Sequence, residues 1–165
     1  MDILATNPLG AAFYDLVIDG PAHGNLARFQ FLDDHSHDFY PDWDAAADVV
    51  VAILRTEAGR DPRDKALHDL IGELSTRSDD FRTRWGAHNV RRHGTGTKHF
   101  HHHLVGDLTL SYEGLEITAE PGLSFLIYTA EPGSDSEERL TLLASWNAST
   151  RSAHDQGEVV PDVEH

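Results

Sequence analysis

The sequence predicts an α+β domain in which helices pack on one face of a small antiparallel sheet. Three observations predict this fold class. Apolar residues recur at helical spacing in the first half of the chain, the period changes to strand-like alternation from about Thr95, and helical spacing returns near the end. A chain of 165 residues is about the length of one domain with a single core.

Two asparagines mark the first predicted helix starts. Asn7 precedes Pro8, the signature of an N-cap followed by proline at the first helical position, and Asn25 follows a turn rich in proline and glycine. Each start is followed by an apolar face at helical spacing. These faces comprise Leu9, Ala12, Phe13 and Leu16 in the first helix and Leu26, Phe29, Leu32 and Phe39 in the second.

Three further helices are predicted before the sheet. One runs from Trp43 to about Ala58, with Gly59 as a left-handed C-terminal cap. The next begins at the pair Asp61 and Pro62 and carries an apolar face at i, i+3, i+4 and i+7. The third follows Ser78 as N-cap and ends near Asn89. Their apolar faces contain Trp43, Ala47, Val50, Ile53, Leu54, Leu67, Leu70, Ile71, Leu74, Phe81, Trp85 and His88.

The second half of the chain predicts strands and a closing helix. Leu108, Leu110 and Tyr112 alternate with polar residues, and a shift of phase beyond them predicts a bulge at Glu113 and Gly114. The segment 123–129, LSFLIYT, is apolar on both faces, which predicts a buried central strand. Ser134 and Glu137 form a capping box before Leu140, Leu143 and Trp146. We therefore expect one domain over residues 1–148 and a disordered tail over 149–165.

Composition excludes several classes of function. The formal charge is −15, with 28 acidic against 13 basic residues, so direct binding of nucleic acid is not expected. There is no cysteine for a disulfide or a thiolate metal site. The N-terminal residues lack the pattern of a signal peptide, and no apolar run has the length of a membrane span. A cytoplasmic protein with no membrane partner is the expectation.

The run HFHHH at residues 99–103 poses the main chemical question. On a strand, His99, His101 and His103 point to one side, where three imidazoles can bind zinc or iron, while His102 points to the other. The sequence offers no later H-x-H or E-x-x-H partner. Histidines that merely face water are therefore favoured over a metal-dependent enzyme, which stays open as an alternative. No metal and no cofactor is predicted.

Other catalytic motifs are missing from the sequence. There is no cysteine nucleophile and no G-x-S-x-G elbow. The segment GTGTK at residues 94–98 lacks the spacing of a phosphate-binding loop and leads into a strand instead of a helix. An enzyme is therefore not expected.

The aromatic and apolar residues point instead to a pocket between helices and sheet. Each of them taken singly is a core residue, but together they can line a concave apolar site. Arg28 and His88 lie beside these apolar faces, where either can meet the polar head of a ligand. The predicted ligand-contact residues are Arg28, Phe29, Trp43, Val50, Leu54, Phe81, Trp85, His88, Phe100, Leu110 and Tyr112.

Several segments, in the same order, resemble one known family. The words YPDW at 40–43, GELS at 72–75, W-x-x-H-x-V at 85–90 and TAEPG at 129–133 are its most diagnostic pieces. Together with NPLGAAFYDL and GTKHFHHHLVGDLTLSYEGL they resemble the MmyB-like transcription-regulator ligand-binding domain. The resemblance covers residues 2–148. One departure is His103, which stands where members commonly have proline.

The resemblance implies a PAS-like sensor domain without catalytic residues. Its expected ligand is a small apolar, fatty-acid-like molecule, held between helices and sheet. Members follow an XRE-type helix-turn-helix domain and act as dimers, so we expect a homodimer that meets DNA only through such a domain, absent from this chain. A domain that only dimerises, with a solid core, is the remaining alternative.

Overall fold

Helices precede and follow a three-stranded antiparallel sheet, so the predicted α+β class is confirmed. The computed structural model describes residues 1–87 and 95–157, with side chains to residue 149. The helices are α1 (Pro8–Phe13), α2 (Asp15–Ile18), α3 (Leu26–Leu32), α4 (His35–Phe39), α5 (Trp43–Arg60), α6 (Lys65–Arg77), α7 (Asp79–Gly86) and α8 (Asp135–Gly157). The strands are β1 (Thr95–His102), β2 (Gly106–Glu116) and β3 (Ser124–Thr129).

Three predicted helix starts are confirmed by the hydrogen bonds of their caps. The Asn7 side chain accepts from the Gly10 N–H at 2.7 Å, with Pro8 at the first helical position. Asn25 caps α3 by accepting from two backbone N–H groups. Ser78 accepts from the Phe81 N–H at 3.1 Å. Each cap satisfies backbone donors that a helix start leaves unpaired.

The first two predicted helices are each divided in two. Tyr14 is both the last cap of α1 and the first cap of α2, so Leu16 lies on the second piece. Asp33 ends α3, and Phe39 lies on α4. The apolar spacing predicted which residues are buried, but not that the backbone turns between them.

Two predictions about the middle helices are wrong. α5 continues through Gly59 to Arg60, so Gly59 is not a left-handed cap. The next helix begins three residues later than predicted, because Asp64 is its N-cap and accepts from the Leu67 N–H at 3.0 Å. Asp61 accepts instead from the Arg63 N–H, in the turn that separates the two helices. An aspartate before a proline fits that turn as well as it fits a cap.

The sheet has the order β1-β2-β3, with regular pairing throughout its described strands. Phe100 pairs with Leu108, Tyr112 pairs with Tyr128, and the pairing continues one to one past Gly114. The predicted bulge is therefore wrong. The change of phase in the sequence arises because Leu115 faces outward, away from the helices.

The predicted central strand lies at the edge of the sheet. β2 is central, whereas β3 pairs on one side only, and Phe125 is 60% exposed. The inner face of the sheet buries Phe100, Leu108 and Leu110 against α1, α4 and α8, so helices cover one face as predicted. The apolar outward residues of β3 gave the impression of a strand covered on both faces.

α8 completes the sheet where β3 ends. The Ser136 hydroxyl accepts from the Thr109 N–H at 2.9 Å, and Arg139 donates to the Asp107 carbonyl. At the start of α8, the Ser134 hydroxyl accepts from the Glu137 N–H as a capping box requires, but the Glu137 carboxylate accepts from Gly133 instead of Ser134. Half of the predicted box is thus formed.

α8 continues to Gly157, into the segment for which disorder was predicted, and residues 158–165 lie outside the described part of the chain. The predicted helix end near Asn89 also falls outside it, since residues 88–94 are not described. The division into a domain of 1–148 and a tail of 149–165 stays a prediction. No helix among the described residues combines the length and hydropathy that a membrane span requires.

Candidate functional site

Aromatic rings fill the space between the inner face of the sheet and helices α1 and α4. The Phe13 ring lies 5.0 Å from the Phe100 ring and 5.5 Å from the Phe39 ring, measured between centroids. We call this group the sheet cluster. Its buried members are Phe13, Tyr14, Val17, Ala22, Phe29, Phe39, Phe100, Leu108, Leu110 and Leu143. Edge-to-face ring pairs of this kind stabilise a packed core beyond the area that they bury.

A second apolar group lies among the helices α3, α5, α6 and α7. We call it the helical cluster. Its buried members are Ala27, Phe31, Ala47, Val50, Val51, Leu54, Leu70, Leu74 and Phe81. α3 separates the two groups, because Phe29 faces the sheet cluster while Ala27 and Phe31 face the helical cluster.

The predicted ligand-contact residues divide between these clusters. Phe29, Phe100 and Leu110 belong to the sheet cluster, and Tyr112 lies half-buried beside it on the same face of the sheet. The other apolar members of the set pack in or against the helical cluster. They are Trp43, Val50, Leu54, Phe81 and Trp85. The structure therefore does not bring the predicted set together as one wall.

The two tryptophans of the set are held by neighbouring side chains. The Trp43 indole N–H donates to the Ser36 hydroxyl at 3.0 Å, and its ring stacks on His37. The Trp85 ring stacks on Phe81 and lies under the guanidinium of Arg55. Both rings are thus part of the helical packing.

Of the two predicted head-group contacts, Arg28 already has an anionic partner. Its Nε atom lies 2.9 Å from Glu73 Oε2, and Arg77 binds the other oxygen of the same carboxylate at 2.7 Å. The hydrogen bond from Arg28 lowers the pKa of Glu73, so the acid is ionised at neutral pH. The other predicted contact, His88, lies outside the described residues.

A cation that the sequence analysis overlooked lies on the inner face. Lys98 pairs with Leu110 across the sheet, and its Nζ atom lies 4.6 Å from the ring centroid of Tyr112 and 5.8 Å from that of Tyr128. Burial lowers the pKa of Lys98. One signal in the sequence could have found it: Lys98 is in phase with Phe100 and His102, the residues that β1 turns toward the core.

Phenol groups surround this part of the inner face. The Tyr14 hydroxyl donates to the Tyr128 hydroxyl at 3.0 Å, and the Tyr40 ring lies 5.8 Å from the ring of Phe100. Burial raises the pKa of Tyr14 and of Tyr40, and it raises the pKa of Tyr128 to about 12. All three phenols keep their protons at neutral pH and are available as hydrogen-bond donors.

The positions of the four histidine rings answer the question of whether residues 99–103 form a metal site. His99 and His101 face outward on the edge strand β1, where they contact Thr109 and Asp107. β1 ends at His102, so His103 leaves the face of the other two and lies 2.8 Å from Asp15. The predicted outward histidines are confirmed for His99 and His101, and the three imidazoles do not converge.

Asp15, His102 and His103 form the one group of described residues whose ligand atoms lie close enough for a metal. Both nitrogens of His102 are already used, since Nε2 contacts the Ala12 carbonyl at 3.1 Å and Nδ1 accepts from the Leu104 N–H at 3.2 Å. A metal would have to break one of these bonds. The group therefore gives little support to the alternative of a metal-dependent enzyme.

Two open clefts lie elsewhere on the surface, away from the sheet. One of about 430 Å³ is lined by residues of α5 and α7, among them Asp48, Arg55 and Arg84. The other, of about 260 Å³, lies beside Gln30 and Asp33, each of which has one buried oxygen without a hydrogen-bond partner. The second cleft has mostly polar walls, and several charged side chains line the first, which an apolar ligand does not favour.

Lys98, Tyr112 and Tyr128 thus lie together on the inner face of the sheet, beside the sheet cluster. The chain belongs to the family of MmyB-like transcription regulator ligand binding domains, whose sequence profile matches residues 1–143. The predicted resemblance is thereby confirmed, and the chain is a ligand-binding domain of the transcription-regulator class. Comparisons with curated proteins and with solved structures gave no match. The PAS-like comparison stays a prediction.

Proposed function

We propose that this chain is the effector domain of an XRE-type regulator and that it binds a small, apolar, fatty-acid-like ligand on the inner face of the sheet. Family membership supports a ligand-binding role. The observation that carries the proposed location is Leu126, which the strand pairing assigns to the inner face and which is nevertheless 42% exposed. An exposed apolar side chain on the inner face leaves apolar surface that a ligand can cover.

The uncovered part of the inner face begins where the sheet cluster ends. We call it the distal inner face and define it by Lys98, Tyr112, Gly114, Leu126 and Tyr128. The strand pairing puts all five on one side of the sheet, and each of them is half-buried or exposed. Among the described residues, no helix seals this region.

The C-terminal end of α5 limits the distal inner face on its far side. Arg60 Nη2 lies 3.0 Å from Glu116 Oε1 at the end of β2, and Gly122 in the following loop approaches Glu57. The uncovered surface thus lies between a packed core and a tethered helix end. Each CH₂ group that a ligand buries there contributes about 0.8 kcal/mol, so an acyl chain gains affinity from its length.

Of the predicted ligand contacts, Tyr112 belongs to this surface, Phe100 and Leu110 adjoin it through the sheet, and Phe29 supports it from α3. We propose that these four residues are the members of the predicted set that form or support the ligand site. Trp43, Val50, Leu54, Phe81 and Trp85 support the helices behind them.

The proposed mechanism is a shift of population. A ligand that binds one arrangement of a homodimer better than another biases the dimer by the difference in binding free energy. A helix-turn-helix domain joined to this one, acting on DNA in the cytoplasm, would then change its affinity for DNA. Linkage requires that ligand and DNA change each other's affinity by the same factor, which binding titrations on the full regulator can measure.

The test of the binding site uses two neighbouring residues of β3. Leu126→Gln places a polar group on the distal inner face, and Phe125→Gln makes the matched change on the outer face. A library of straight-chain acids and alcohols is titrated against each protein and followed by tryptophan fluorescence. We expect Leu126→Gln to weaken binding by roughly tenfold, the effect of losing about 1.4 kcal/mol of apolar contact, and Phe125→Gln to bind like wild type.

Two results would contradict the proposal. Equal binding by both variants would move the site away from this face of the sheet. An absence of binding across the library, in a protein that sedimentation shows to be a dimer, would favour the alternative of a domain that only dimerises.

A further inference from the structure

The hydrogen bonds of β2 show which backbone groups of β3 point away from the sheet. The Thr109 N–H donates to Ser136 of α8, and the Ile117 N–H donates to the Leu123 carbonyl just before β3 begins. Successive residues of a strand point their N–H and C=O groups to opposite neighbours. The odd-numbered residues of β2 between these two bonds therefore direct their backbone groups to β3.

Half of the backbone groups of β3 consequently lie on its outer edge, which we call the open edge. The odd-numbered residues of β3 are the partners of those residues of β2, so their N–H and C=O groups bond to β2. The same groups of Ser124, Leu126 and Tyr128 point to the open edge. Within the described part of the chain, no backbone hydrogen bond reaches them there, and both Ser124 and Leu126 are exposed.

The open edge lacks the features with which proteins normally protect an edge strand. Those features are charged side chains, proline, a bulge, or a covering helix or loop. β3 reads SFLIYT, with neither a charged residue nor a proline, and its pairing with β2 contains no bulge. An edge of this kind is a template for a further strand.

Two features of β3 fit a second copy of the same chain. The formal charge of −15 makes two copies repel each other, so an uncharged strand is a surface on which they can meet. The outward residues are also placed symmetrically about Leu126. In an antiparallel pair of β3 strands, Leu126 then lies opposite Leu126, and Ser124 lies opposite Tyr128. This register uses all the outward groups of both strands.

We infer that β3 pairs with β3 of a second copy across a two-fold axis at Leu126, and that the two ligand sites meet at this axis. The two three-stranded sheets then form one continuous sheet. Paired residues of this type have Cα atoms about 5.5 Å apart, so Leu126 of each copy borders the distal inner face of the other. The inference rests on the proposed function, since it names the interface of the proposed homodimer.

This arrangement makes the second copy part of the ligand site. A ligand that lies over Leu126 contacts both copies, because the two leucines are neighbours across the axis. It therefore binds the paired arrangement better than separate copies, which is the difference in affinity that a shift of population requires. By linkage, the ligand strengthens the dimer by the same factor by which dimerisation strengthens ligand binding.

The test places charges at position 126 and measures dimerisation by sedimentation in the absence of ligand. Leu126→Lys and Leu126→Glu each bring two like charges together at the axis, which destabilises a directly opposed pair. We expect each variant to raise the dissociation constant of the dimer by roughly tenfold or more. An equimolar mixture of the two should dimerise like wild type, because a positive charge then faces a negative one. Leu126→Gln is the uncharged control and should change the constant by less than about fivefold.

Rescue in the mixture also shows that both charged variants are folded. Three results would overturn the inference. Wild type that stays monomeric at every protein concentration has no such interface. Charged variants that dimerise like wild type would place the interface elsewhere, and a mixture without rescue would show that Leu126 does not face its own copy.

A second measurement needs no variant. Amide hydrogen exchange of wild type is followed by NMR at low and high protein concentration. Protection of the Leu126 and Tyr128 N–H groups should rise with concentration, whereas the N–H groups of Phe125 and Ile127, which bond to β2, should be protected throughout. Outward amides that exchange rapidly at every concentration would show that the edge stays open. Outward amides protected at every concentration would show that another segment of the same chain covers it. Either result would overturn the inference.

Failure of this inference is distinguishable from failure of the proposed function. Dimerisation is measured without ligand, and ligand binding is measured by fluorescence titration with straight-chain acids and alcohols. A monomer that binds these ligands keeps the proposed site and loses the interface. A dimer that shows rescue at position 126 but binds no ligand supports the interface and contradicts the proposed function.

Discussion

The hydroxyl groups of Tyr14 and Tyr128 form a hydrogen bond of 3.0 Å between residues that are 114 positions apart in the chain. Tyr14 lies at the junction of α1 and α2, and Tyr128 lies on β3. This bond therefore fixes an edge strand to the first helices, at the border of the site proposed for the ligand. Its two partners differ in burial, because Tyr14 is buried and Tyr128 is only half-buried.

We expect Tyr128→Phe to destabilise the fold more than Tyr14→Phe. Tyr128→Phe leaves the buried Tyr14 O–H without an acceptor, which costs about 1–3 kcal/mol, whereas Tyr14→Phe removes the donor itself and costs about 1 kcal/mol. Urea denaturation of both single variants and the double variant measures the coupling. Equal losses that add in the double variant would show that the bond contributes nothing.

Two phenylalanines of the sheet provide a second prediction. Phe100 is 1% exposed in the sheet cluster, and Phe125 is 60% exposed on the outer face. We expect Phe100→Ala to lower the free energy of unfolding by about 3–5 kcal/mol, and Phe125→Ala to change it by less than about 0.5 kcal/mol. Denaturant titration decides the point. A large loss of unfolding free energy in Phe125→Ala would show that β3 is buried on both faces, as the sequence predicted.

A third prediction concerns pH and His102. Burial lowers the pKa of this ring below the usual 6.5, with smaller opposing effects from the Ala12 carbonyl and Asp15. Between the lowered value and 6.5 the unfolded chain binds more protons than the folded one, so stability rises with pH through that window and falls on acidification. Protonation would also break the bond that Nδ1 accepts from Leu104.

The measurement is the urea midpoint of wild type and His102→Gln between about pH 7 and pH 5, where an ordinary histidine titrates. The variant should start less stable but lose less on acidification. His99→Gln, on the outer face, controls for the loss of an imidazole. An unchanged loss in His102→Gln would assign the acid sensitivity to other groups.

A fourth prediction concerns Arg28, one of the two head-group contacts that the sequence predicts. The guanidinium of Arg28 is already paired with Glu73, so Arg28→Met should leave the affinity for straight-chain acids unchanged. Because both side chains are partly exposed, the variant should lose no more than about 1 kcal/mol of stability. Calorimetric titration and denaturation give the two values. A tenfold loss of affinity for the acids in Arg28→Met would show that Arg28 binds the head group of the ligand, as the sequence predicted.

The comparison of prediction with structure is clearest at the helix ends. Asn7, Asn25 and Ser78 were predicted as caps, and their hydrogen bonds confirm them. Caps are local, since one side chain and the next three residues decide them. Asp61 and Asp64 show the limit of that rule: both aspartates suit a cap, and the turn between the two helices decides which one forms it.

The candidate site was predicted less well than the helix starts. Burial of Phe29, Phe100 and Leu110 followed from their spacing, but the spacing could not show that the helices form a cluster of their own around Val50 and Leu54. Lys98 was missed because a lysine in a strand is normally read as a solvated residue. Its position became informative once the strand pairing placed it opposite Leu110.

The sequence by itself determined the α+β class, the confirmed caps and the inward face of β1, because these depend on residues within a few positions of one another. Tertiary structure alone decided that β2 is the central strand, that Tyr14 meets Tyr128, and that the contacts of Lys98 include the rings of Tyr112 and Tyr128. Such facts depend on which distant segments share one surface. Burial and hydrogen bonding are properties of that shared surface, so local patterns do not record them.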